Sequence, residues 1–114
     1  MDYRTARSFL IAQGTASEQN TDAFLVRLKQ GKTPVPGQVT NILLALKMVF
    51  EALQTASALD RELVYSLYVL SFESRHYYET GRQAGVTWPP LLDEDLKRIA
   101  RAVKSIFAGV WRVE

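Results

Sequence analysis

Residues 59–84 read LDRELVYSLYVLSFESRHYYETGRQA, a stretch without proline that carries apolar residues on two sides. At about 100° of rotation per residue, Leu63, Leu67, Leu70, Ser74, Tyr77 and Gly81 fall on one seam. Tyr65, Tyr68, Val69, Phe72 and His76 fall on nearly the opposite side, with Glu62, Ser66, Glu73 and Thr80 between the two. A single helix over Leu59 to Ala84 with two apolar faces is not satisfied by one packing partner; it requires a second layer or a second subunit. The pattern predicts an architecture and an interface, and no chemistry.

Working outward, Gln38 to Thr55 repeats apolar residues at Val39, Ile42, Leu43, Leu46, Phe50 and Leu53, the broad face of a helix at the centre of a core. Ser57-Ala58-Leu59-Asp60 resembles a capping box and separates this third helix from the fourth, so the two are expected as an antiparallel hairpin, the Leu seam facing helix three. Lys32-Thr33-Pro34-Val35-Pro36-Gly37 is an extended connector, because two prolines and a glycine exclude a helix. Before it lie two short amphipathic helices, Tyr3 to Gln13 stopped by Gly14 and Thr21 to Leu28 stopped by Gly31, with a polar segment, Thr15 to Asn20, between them. After helix four, Trp88-Pro89-Pro90 presets the start of helix five and places Trp88 in the core. Helix five runs to about Phe107 with Leu92, Leu96, Ile99, Val103 and Ile106 inward and Gly109 as terminator. The tail Val110 to Glu114 alternates apolar and charged residues and is expected to lie extended on the body.

The 114 residues suit one domain, residues 1–114, with 47% apolar and 23% charged side chains. Fourteen basic against twelve acidic residues leave a net charge of +2, too small to argue for a nucleic-acid binder from totals. With no cysteine, thiolate catalysis and cysteine-ligated metals are excluded. No window is apolar enough to span a bilayer and the first residues lack a signal-peptide pattern, so a cytoplasmic protein is expected.

Three fates are open to the aromatic face made by Tyr65, Tyr68, Phe72 and His76. Burial under helices one, two and five is the usual end of an aromatic stripe. A homodimer interface is the next, and a partner-protein groove or a small-molecule pocket the third. Among assemblies, dimerisation through this face is favoured.

Chemistry is poorly represented. Glu73-Ser74-Arg75-His76 has the Glu-x-x-His spacing of di-iron bundles, but His76 is the one histidine and the second copy such a site needs is missing. His76 paired with Glu73 or Glu79 as a general base is outweighed by a histidine at the rim of an aromatic cluster. Gly31-Lys32-Thr33 lacks the upstream glycine and the following helix of a phosphate loop. No catalytic residue, metal ligand set or cofactor is assigned. Lys97, Arg98, Arg101 and Lys104 form a basic stripe on helix five, with Arg112 of the tail placed near it, read first as a solvated face and second as a contact for an acidic partner; nucleic acid ranks last, since no recognition motif accompanies it.

Gly37-Gln38-Val39-Thr40, the run Ile42 to Leu53, Leu59-Asp60-Arg61-Glu62-Leu63 and Ala84-Gly85-Val86-Thr87-Trp88-Pro89-Pro90-Leu91-Leu92 carry a resemblance over nearly the whole chain. They are similar to a family of small cyanobacterial helical proteins, some of which are labelled dethiobiotin synthetase. The resemblance implies an all-helical cytoplasmic protein. The label would imply an ATP-dependent enzyme on an α/β fold, and the chain departs from that in lacking both the phosphate loop and the strands of a parallel sheet.

The expectation is thus an all-α domain of about five helices, with a central antiparallel hairpin covered by shorter helices. Its expected role is a non-enzymatic, homodimeric protein-interaction module, an adaptor or assembly factor. The alternative is a small-molecule-binding or enzymatic domain with a pocket at the helix-four aromatics.

Overall fold

A computed structural model describes residues 1–15 and 20–112; the middle of the polar segment and the last two residues of the tail lie outside the described residues. The order is α1 (Tyr3–Gln13), α2 (Phe24–Lys29), α3 (Gln38–Leu53), α4 (Arg61–Tyr68), a π turn (Val69–Glu73), α5 (Ser74–Gln83) and α6 (Leu92–Ala108). Among the described residues there is no strand. α4, the π turn and α5 follow without interruption and form one rod, the fourth helix of the sequence; α6 is the fifth. The fold is all-α.

Each boundary has a local cause. Asp2 opens α1 by accepting the Thr5 N–H at 2.8 Å, and the Gly14 N–H closes it on the Leu10 carbonyl at 3.0 Å. The rod starts one residue after Asp60, so Asp60 stands at the N-cap where a Ser57 box was expected. Gly109 ends α6 in the left-handed region at φ 75°, a conformation that turns the tail back toward the body.

α1 and α6 each pack on both α3 and the rod, α1 against α4 and α6 against the π turn, while α2 lies on α5. α3 and the rod therefore face each other across the bundle with α1 and α6 as their close backbone neighbours. The expected hairpin is refined accordingly. Its two helices share one core through Ile42, Leu46 and Val49 on one side and Leu63, Leu67 and Leu70 on the other. The segment between Leu53 and Arg61 is long enough to carry the chain to the diagonal position. All four predicted seam residues from Leu63 to Ser74 are buried, and so is Trp88, whose indole N–H donates to the Tyr78 carbonyl at 2.9 Å.

One buried polar side chain fastens the irregular half of the molecule. Gln38, at the first turn of α3, donates through Nε2 to Gln13 Oε1 and to the Asp22 carbonyl, both at 2.8 Å, and its Oε1 accepts the Val35 N–H at 3.0 Å. Gln13 Oε1 also accepts the Phe24 N–H that opens α2. Gln38→Ala leaves these groups without their partner, and the expected cost is about 2 kcal/mol. It should appear as a fall of several degrees in the thermal midpoint; an unchanged midpoint would mean that water replaces the amide without loss.

Candidate functional site

The π turn lies at the middle of the rod, where the Ser74 N–H reaches back to the Val69 carbonyl instead of to Leu70. Two serines support it. Ser74 Oγ donates to the Leu70 carbonyl, and Ser71 Oγ donates to the Tyr68 carbonyl at 3.1 Å, so hydroxyls serve carbonyls where the backbone ladder shifts. The wider turn lets Val69 and Leu70 enter the core side by side, at 1% and 0% exposure. Val69 thus leaves the face to which a regular helix assigns it.

What remains on that face is aromatic and open. Tyr65 is 64% exposed, Tyr68 47% and Phe72 61%, and the Tyr68 and Phe72 rings stack with centroids 5.3 Å apart and planes 14° from parallel. Burial under neighbouring helices, the first of the three fates considered, does not occur, because α1 and α6 dock on the Leu seam and leave this side uncovered. His76 continues the strip one turn on and is also exposed, its ring 5.6 Å from that of Tyr77. Glu79, considered as its orienting carboxylate, is instead engaged by Arg82 at 2.8 Å and by Arg75 at 3.5 Å. Ser66, assigned to the polar stripe, is buried, with its hydroxyl donating to the Glu62 carbonyl at 3.1 Å.

The basic stripe divides into two halves. Lys97 is paired with Asp93 and Glu94, each at 3.3 Å, and Arg98 with Asp95 at 3.5 Å, so the acidic first turn of α6 neutralises them. Among the described residues Arg101 and Lys104 have no ion pair. They line a groove of about 340 Å³ together with Ser105, Ala108, Val110 and Arg112. Arg112, which the sequence places near the stripe, joins this group through the reversal at Gly109. Trp111 holds the returning tail, its ring 5.1 Å from that of Phe50 and under the Lys47 ammonium at 4.3 Å.

No family model, curated protein or solved structure matches this chain. The site is therefore read from its own geometry. Among the described residues no three His, Asp or Glu side chains gather to hold a metal ion, and no helix is long and apolar enough to cross a membrane.

The rod is fixed to α6 by Arg75, which donates to Asp93 Oδ1 at 2.6 Å and to the Asp93 carbonyl at 3.1 Å. The Arg75 hydrogen bond, followed by that of Lys97, holds the Asp93 carboxyl below the usual carboxylate range; Arg7 does the same for Asp60. A lowered folded pKa means that unfolding takes up protons in acid. The contribution is thus complete above about pH 4, the unfolded value, and is lost as pH falls through the folded pKa. Asp93→Asn should therefore flatten the acid side of the stability profile while leaving its shape above neutrality unchanged. An acid limb as steep as that of the parent chain would show that Asp93 takes no part in it.

Proposed function

We propose that the chain is a non-enzymatic helical interaction module that self-associates through the strip Tyr65, Tyr68, Phe72 and His76. The observation that supports it is the exposure of three large aromatic side chains on one face of a rod whose other face is already filled. Exposed scattered apolar residues are ordinary, whereas aromatics grouped at helical spacing are the composition of interface cores. Rings have few rotatable bonds, so ordering them on association costs little entropy.

A second copy is the occupant that fits. In an antiparallel pairing centred between Tyr68 and Val69, Tyr65 of one copy meets Phe72 of the other and the two stacked pairs lie at the centre, the self-complementary arrangement a two-fold axis demands. An adaptor or assembly role belongs to this reading, as does the cytoplasmic setting that the resemblance to cyanobacterial helical proteins implies.

The double substitution Tyr68→Ala with Phe72→Ala tests it. Both side chains are about half exposed or more, so the helical circular dichroism should persist while the dimer separates at concentrations where the parent chain stays paired. A double variant that keeps the mass of the parent chain at every concentration would remove the strip from the interface. The basic half-stripe of Arg101 and Lys104, rather than Lys97 and Arg98, remains open to an acidic partner.

A further inference from the structure

We infer that the groove at the C-terminal end of α6 is a binding site for a small phosphorylated molecule, held by Arg101, Lys104 and Arg112. Arg101, Lys104 and Arg112 line one groove with Ser105, Ala108 and Val110, and among the described residues none of the three cations is spent on an ion pair. Arginine pairs two parallel N–H groups with phosphate oxygens, and lysine adds a point charge. The volume, about 340 Å³, falls at the lower end of small-ligand pockets.

The groove is also assembled, not merely charged. Ser105, 2% exposed, donates its hydroxyl to the Arg101 carbonyl at 2.9 Å and accepts the Arg112 N–H at 2.8 Å. One buried hydroxyl thus clamps the tail against the helix that carries the other two cations. The contacts of Trp111 with Phe50 and Lys47 keep the tail there. Compensation of the helix dipole does not account for the cluster, because the last turn of α6 holds no basic residue. The carbonyl end of α6 opposes an anion, but with roughly half a unit of charge against three cations.

The extent of the charge selects the ligand. A nucleic-acid backbone needs a positive track along several phosphates, and here the track stops at Lys97 and Arg98, which Asp93, Glu94 and Asp95 neutralise. A compact di- or trianion needs only the groove. The apolar part of the lining, Ala108 and Val110, would take the uncharged body of a phosphate ester. Nothing in this site depends on the aromatic strip of the rod.

Calorimetric titration of the full chain with inorganic pyrophosphate is the test, with Arg101→Gln, Ser105→Ala and Lys97→Gln as variants. Expected is saturable binding with one pyrophosphate per chain, weakened roughly tenfold by Arg101→Gln. Ser105→Ala removes no charge, and it should still weaken binding several-fold while shifting the fluorescence of Trp111, since the tail is released. Lys97→Gln should leave the affinity as it was. Absence of saturable binding overturns the assignment, and so does equal weakening by Lys97→Gln and Arg101→Gln, which means a diffuse positive field. Tighter binding of a single-stranded oligonucleotide than of pyrophosphate overturns it in favour of a nucleic-acid surface. Ser105→Ala leaving affinity unchanged would contradict the clamp and with it the assembled site.

Discussion

Replacing Leu67 by alanine is expected to cost about 3 to 4 kcal/mol, a large share of the 5 to 15 kcal/mol that holds a domain of this size together. Leu67 is completely buried at the middle of the rod's inward seam, on α4 where α1 packs, just before the π turn that meets α6. Truncation removes its transfer free energy and leaves a cavity that helices pinned on both sides collapse into poorly. The urea midpoint should fall in proportion while the slope of the transition stays the same. Leu44→Ala is the matched control, because Leu44 is 58% exposed and its loss should stay within about 0.5 kcal/mol. Equal effects at the two positions would mean that the seam has been assigned to the wrong face.

Gly81→Val is expected to be nearly as costly, about 3 kcal/mol, although valine is the better helix former. A Cβ at Gly81 would sit 2.6 Å from Trp88 Cζ2, closer than two carbons approach. The ring has little room to retreat. Trp88 is buried, hydrogen-bonded through its indole N–H to the Tyr78 carbonyl, and stacked on Tyr78 at 5.8 Å. Pro89 and Pro90 fix the backbone that follows it. Relief therefore has to come from breaking the indole hydrogen bond, and the tryptophan emission should move to longer wavelength as the ring meets water. A variant as stable as the parent chain, with unchanged emission, would show that α5 and the Trp88 segment are not in contact.

Much of the fold was legible because helices announce themselves by spacing and by their stops. The Leu63, Leu67, Leu70 and Ser74 seam is buried as its four-and-three spacing requires, and Gly14 and Gly109 close α1 and α6 where glycine was expected to. Three features escaped for physical reasons. Periodicity groups residues into faces but does not say which face a neighbour covers; the exposure of Tyr65, Tyr68 and Phe72 is decided by where α1 and α6 dock. The π turn changes the rotation per residue in mid-helix, and the only local sign of it is the pair Ser71 and Ser74, a weak one. Ser66 looks polar in the sequence, yet its hydroxyl satisfies itself on the Glu62 carbonyl and the small side chain fits the core.

The candidate sites divide along the same line. The pairing of Lys97 and Arg98 with the acidic turn before them follows from three- and four-residue spacing and was open to sequence reading. The nearness of Arg112 to the stripe was open to it as well, but not which half it joins, because that needs the reversal at Gly109 and the hydroxyl of Ser105. Tyr65, Tyr68, Phe72 and His76 lie exposed on one side of the rod, as their spacing grouped them, whereas the π turn draws Val69 into the core.

Self-association through the rod is the central claim, and the most direct measurement is the solution mass of the full chain by light scattering across a dilution series. A mass of twice the 12.9 kDa of one chain, falling toward one chain only at high dilution, is the predicted result. A single-chain mass at every concentration would contradict it.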